Sequence, residues 1–204
     1  MLRSVVLGGT VTTVAQIFQP AGRAPAPPPL DLVQDFVNTE IPEWARDDIA
    51  SPEQLEVWLR ARSLLDRDEN VDAATFVSAR ALRTALRALA LGNNVGGTVE
   101  PGLRDVVMRA VAGLPLDIVV LADGRLVTTP AAAGARRALA TIVAVVMESQ
   151  ATGDWARLKA CRKESCGWLF YDASRNRSSS WCSMSICGNR VKTASYRQRR
   201  GARR

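Results

Sequence analysis

The sequence predicts a mainly α, α+β chain: a helical N-terminal domain with one small β-hairpin, then a treble-cysteine-hook zinc-binding module ending in a basic helix. Three observations carry this. Apolar residues recur at helical spacing from Leu32 to Val146, with two short β-prone runs around Asp123-Gly124. All four cysteines of the 204 residues fall within the last quarter. Charge divides the same way, with 13 Lys+Arg against 2 acids over 155–204 and 14 against 18 over 1–154.

The net charge of +7 is therefore a mildly acidic body with a strongly basic tail. That asymmetry points to a polyanionic partner for the tail, nucleic acid before membrane phosphate. No run reaches the ~18–20 apolar residues of a membrane-crossing helix.

Along the chain, 1–29 reads as a leader that ends in a stiff Pro-rich linker over 24–29, rather than as an export signal. Leu32, Val33, Phe36 and Val37 predict a helix over 31–39, with Asn38 and Thr39 tying down its end. Ser51-Pro52-Glu53-Gln54 is a helix start with a capping box, and Trp58 is a core residue. Asp72 caps a helix running to Leu91, buried through Leu82, Ala85, Leu86 and Leu89. Arg80, Arg83 and Arg87 lie along another face, read as solvated. Asn93 to Val99 is a loop and Leu103 to Val111 a short helix. The runs 116–120 and 125–128 form a hairpin with a tight Asp-Gly turn. A long helix starts at Thr129-Pro130, ends near Gln150, and receives the metal module against it. Asp35, Asn38, Arg80 and Arg83 are candidates for a polar ligand pocket in this domain. The domain has neither histidine nor cysteine, no nucleophile motif and no phosphate-binding glycine loop, so no enzyme is expected.

The cysteines follow C-x4-C-x15-C-x4-C, at Cys161, Cys166, Cys182 and Cys187, and each pair closes on a glycine. Two such hooks can place four thiolates around one tetrahedral Zn²⁺. A glycine with φ > 0 would let the backbone turn and aim N–H groups at sulfur. Two disulfides or four unrelated buried thiols are the competing readings. Clustering within 27 residues, with none in the preceding 160, favours one shared site. Four protein ligands leave no open position, so the zinc, one per chain, is structural.

Between the hooks, Trp168, Phe170, Tyr171 and Trp181 can form the module's own core. Arg175 and Arg177 sit in a polar loop. After Gly188-Asn189 a helix carries Arg190, Lys192, Arg197, Arg199 and Arg200, with Val191 and Ala194 toward the metal. Such a helix could contact phosphates along a groove.

These residues resemble a known family. Trp181-Cys182-Ser183-Met184, Cys187-Gly188-Asn189-Arg190, Cys166-Gly167-Trp168-Leu169-Phe170-Tyr171-Asp172 and Tyr196-Arg197-Gln198-Arg199 are similar to the CGNR zinc finger. Asp35-Phe36-Val37-Asn38-Thr39 and Trp58-Leu59 resemble the ABATE domain that precedes it. The resemblance implies an ABATE-like domain over 30–154 and a finger over 155–204. It implies a cytoplasmic bacterial transcription regulator of the stress-induced kind, with the four cysteines as zinc ligands and Arg190 and the helix after it facing nucleic acid. Where relatives carry arginines before the Trp-Cys pair, this chain has Ser178-Ser179-Ser180. DNA is the expected partner, RNA or the ribosome the alternative, and the helical domain would sense a ligand or form a homodimer.

Overall fold

The computed structural model describes residues 19–97 and 99–193. Five α-helices build the N-terminal domain: α1 (Leu30–Val37), α2 (Pro52–Arg60), α3 (Ala73–Gly92), α4 (Pro101–Val111) and α5 (Gly134–Thr152). Three antiparallel two-stranded ribbons accompany them: β1–β2 (Glu40–Ile41, Arg46–Asp47), β3–β4 (Leu116–Val120, Leu126–Pro130) and β5–β6 (Leu158–Ala160, Leu169–Tyr171).

The helix starts follow local chemistry. Asp72 accepts the Thr75 N–H at 2.6 Å and opens α3. Ser51 accepts the Gln54 N–H at 3.3 Å and opens α2. The capping box differs from its expected form. Gln54 Oε1 reaches back to the Ala50 N–H at 2.8 Å, one residue before the cap.

A further expectation is corrected. The long helix starts at Gly134, after Thr129 and Pro130, which pair with Asp117 and Leu116 in the hairpin. Thr-Pro is a sound helix opening, but here β3 claims its backbone first. The hairpin itself turns at Asp123-Gly124, as its sequence predicts. Gly124 N–H donates to Leu121 O at 2.9 Å, and Leu121 N–H to Arg125 O at 2.8 Å. Gly124, at φ +83°, fills the left-handed position of a three-residue turn.

The main core gathers Val33, Phe36 and Val37 of α1, Leu55 and Leu59 of α2, Leu82 and Leu86 of α3, and Leu139 and Ile142 of α5. Trp58 lies in it, its ring tilted on Phe36 at 5.6 Å. This core does not stop at residue 154. Trp155, Leu158, Ala160 and Leu169 belong to it as well. The alternation of β5–β6 explains how. One face sends Leu158, Ala160 and Leu169 into the helical core, while Phe170 points the other way, into a second cluster around the cysteines. The turn at 155–157 meets α5, but β5 lies on α3 and β6 on α1. The module thus rests on α1 and α3 as well as the long helix.

The segment before α1 also lies on the body. Ala26 is buried and its N–H donates to Gln34 Oε1 at 2.7 Å. Arg23 crosses to the module. No helix among the described residues is long and apolar enough to cross a membrane.

Candidate metal centre and the surface around it

The first hook leaves β5 at Ala160. Cys161 N–H donates to Trp168 O at 2.8 Å, which closes the hook as an extension of the β5–β6 ladder. Lys163 O then accepts from both Cys166 N–H (2.8 Å) and Gly167 N–H (3.3 Å). Gly167 has φ +60°, and a Cβ there would lie 3.2 Å from Arg87 Cδ. The left-handed backbone favours glycine here, and the arginine beside it leaves little room for a side chain.

The second hook is built differently from its expected form. Its helix opens before Cys187 instead of after it. Ser183 caps it, accepting the Ile186 N–H at 3.2 Å. A widened π-type turn, Met184–Gly188, follows and runs on as α-helix through 189–193. Ser183 O accepts both Cys187 N–H (2.9 Å) and Gly188 N–H (3.1 Å). Gly188 is helical and does not take the positive φ expected of it. It sits close to its neighbours instead: a Cβ would meet Met184 Sδ, the movable end of a 45% exposed side chain, and come within 3.2 Å of Trp181 Cδ1.

The two hooks bring the four sulfurs together. All lie within 4.8 Å of one another, and all four cysteines are buried. Cys166 and Cys182 Sγ are 3.7 Å apart, and Cys182 and Cys187 Sγ 3.6 Å. A tetrahedron of sulfurs with Zn–S of about 2.3 Å has edges of about 3.8 Å, so the donor set fits one Zn²⁺. The protonation pattern asks for a cation too. Hydrogen bonds from the Cys166 and Cys182 thiols hold Cys161 far below its usual range. The same contacts push Cys166 up to about 12 and Cys182 further still, and burial raises Cys187. Four thiolates this close repel one another and need a dication among them.

Around the sulfurs, Trp168, Phe170 and Ile41 are buried and Trp181 half-buried. Ile41 comes from the helical domain, so the module does not complete its own core. Below it, Lys159 and Asp172 form a buried ion pair at 3.0 Å. Burial pushes the Asp172 carboxyl up, but hydrogen bonds from Ser174, Lys159 and the Ser179 backbone outweigh it and hold the group below the usual carboxylate range. These bonds shape the loop that carries Arg175 and Arg177. Both arginines are exposed, and Arg177 adopts a left-handed φ of +49°.

The helical domain and the segment before it hold the module at several points. Asn38 donates to Leu169 O (2.9 Å) and accepts Leu169 N–H (2.8 Å), and Gln34 adds a bond to the same carbonyl at 3.1 Å. Asn93 donates to Trp155 O and Leu158 O, both at 2.8 Å, and Asn94 to Ala160 O at 2.9 Å. Arg23 donates to Cys182 O at 2.9 Å and lies 4.7 Å over the Phe170 ring. In the β1–β2 ribbon, Trp44 packs on Trp168 at 5.8 Å, and Glu43 binds both Lys163 and Arg190.

The pocket candidates are held in separate places. The Asn38 side chain serves Leu169, while the end of its helix is held as expected by the Thr39 hydroxyl, which donates to Phe36 O at 2.7 Å. Arg83 is almost wholly buried and bonded to Asp47 through both nitrogens, at 2.6 and 2.9 Å, and to Thr39. Arg87 binds Glu40 at 2.7 Å and the Val37 carbonyl. The arginine row is therefore mostly an internal clasp; Arg80 alone of the three is solvated, near the Phe76 ring. Asp35 pairs with Arg62 at 3.7 Å, and burial lifts its pKa to about 7 although Arg62 opposes the shift.

Of the residues assigned to nucleic acid, Arg190 and Lys192 are exposed on the last helix, while Arg197, Arg199 and Arg200 lie outside the described residues, as does Ala194. Sequence reasoning missed Arg23, Ile41, Glu43, Trp44, Asn93 and Asn94. Only the Asn-Asn pair carried a signal, and it reads equally as a loop.

Two tandem family patterns match this architecture. Residues 30–153 match ABATE, described as "Putative stress-induced transcription regulator", and residues 157–200 match the CGNR zinc finger. The chain belongs to the ABATE family, with a CGNR zinc finger following in the same order. No curated protein matches it.

Proposed function

We propose that the chain is a DNA-binding transcription regulator whose zinc-held module carries the nucleic-acid face. The observation that carries this reading is the placement of Cys187 inside the helix that displays Arg190 and Lys192. A metal ligand within the helix fixes the direction in which the basic segment leaves the body. Arg175 and Arg177, on the loop pinned by Asp172, add two exposed cations, and Arg197, Arg199 and Arg200 continue the basic run. The zinc is structural, and no catalytic step is assigned to it.

The helical domain supplies sensing or dimerisation in this scheme. Support for a homodimer is the apolar hairpin face, where Ile118, Val120 and Leu126 are 74%, 65% and 70% exposed. The RNA alternative depends on aromatics free to stack on bases. Trp168 and Phe170 are buried beside the cysteines, which favours duplex DNA.

The test is fluorescence anisotropy of a mixed-sequence duplex against zinc-loaded protein across a salt series. With about six phosphate contacts, log affinity falls against log salt with a slope near −5. Salt-independent binding, or tighter binding of single-stranded RNA in competition, contradicts the reading.

A further inference from the structure

Two of the cations beside the cysteine hooks are bound to one acid of the helical domain. Lys163, inside the first hook, and Arg190, three residues beyond Cys187, converge on one atom, Glu43 Oε1. The Arg190 contact is 2.9 Å. Glu43 comes from the turn Pro42–Trp44 of the helical domain, between Ile41, buried among the cysteines, and Trp44, packed on Trp168. Its side chain is 21% exposed, that of Lys163 18% and that of Arg190 61%. Each hook thus contributes one cation to a single oxyanion position at the edge of the exposed basic helix, and the chain fills that position with its own carboxylate.

We propose that Lys163 and Arg190 form a phosphate-oxygen site that Glu43 occupies in the free protein, so that a nucleic-acid phosphate competes with Glu43 for it. The proposal rests on the nucleic-acid reading above for its ligand. Its chemistry is a charge-for-charge exchange: a phosphodiester oxygen and a carboxylate oxygen carry the same formal charge and accept the same charge-assisted hydrogen bonds. The helical domain thereby sets the affinity of the finger.

The experiment compares full-length, zinc-loaded wild type with Glu43→Gln, using inorganic pyrophosphate and a mixed-sequence duplex as separate probes. Glu43→Gln keeps the side chain's size and removes the competing charge. Affinity for both probes should rise about three- to tenfold at 0.1 M salt. The salt slope on duplex should steepen by about 1, the signature of one more phosphate contact. Adding Lys163→Met to Glu43→Gln should return pyrophosphate affinity to the wild-type level or below. Zinc content and tryptophan emission serve as folding controls. With those controls intact, unchanged or weaker binding of both probes by Glu43→Gln overturns the proposal and makes Glu43 a staple between domain and finger. A pyrophosphate gain with no duplex binding by either protein keeps the anion site and removes the nucleic-acid function. Equal duplex binding with no pyrophosphate gain keeps the function and removes the competition.

Discussion

Replacing Asn38 by alanine should loosen the zinc module from the helical domain. Asn38 is 5% exposed, and its side chain pairs with both backbone groups of Leu169, at 2.8 and 2.9 Å. It acts on β6 as a third strand would. In the alanine variant Leu169 O keeps Gln34 Nε2 at 3.1 Å, but the Leu169 N–H loses its partner inside a fully buried residue. Net loss of the hydrogen bonds together with one orphaned buried donor gives a cost of about 2–4 kcal/mol. Urea unfolding of the zinc-loaded protein at fixed pH measures this as a lower midpoint at unchanged slope. A parallel colorimetric assay of zinc capture by a chelator should show faster release, because β6 is tied to the first hook through Cys161 N–H and Trp168 O. A midpoint shift worth less than about 0.5 kcal/mol would place Asn38 among ordinary surface substitutions and refute the clasp.

The finger should not fold by itself. A fragment beginning at Trp155 lacks Ile41, Trp44, Asn38 and Gln34, and its titration with zinc should leave the tryptophan region of the near-ultraviolet circular dichroism flat; a fragment with native-like signal refutes the shared core. Zinc binding to the metal-free chain near pH 7 should release about three protons, because Cys161 is already ionised while Cys166, Cys182 and Cys187 are held protonated. Zinc affinity therefore falls as pH drops, and calorimetry in buffers of different ionisation heat would contradict this by finding no proton release. Asp35 should titrate near 7, since burial raises its pKa more than Arg62 lowers it. The folded state then holds that proton more tightly than the unfolded chain, so this group's contribution to stability is present at low pH and is lost as pH rises from about 4 through about 7. A carbon NMR midpoint for the Asp35 carboxyl below 5 would contradict it.

The cysteine spacing and its glycines made the metal centre legible, because four thiols with that regularity have few other uses. The helices were legible where caps and apolar periodicity agreed, as at Asp72 and Ser51. The errors lie where one strong local signal met a competing partner. Thr129-Pro130 reads as a helix start until β3 pairs with it. Arg83 reads as solvated until Asp47 and Thr39 surround it, since a charge on a helix says nothing about what packs opposite. Gly188 reads as a positive-φ turn because glycine permits one, whereas the structure keeps it helical, beside Met184 and Trp181. The attachments between domain and finger were least legible. Gln34, Asn38, Asn93 and Asn94 recognise backbone groups, and backbone groups leave no trace in composition or spacing.

The zinc centre is tested by metal content per chain on the purified full-length protein, with free thiols counted before and after chelation. One zinc per chain is expected, with four thiols that react only after chelation or denaturation, in keeping with the four buried cysteines. Protein without metal whose thiols are already paired as disulfides would contradict it, and would leave the basic segment without the anchor that gives it a direction.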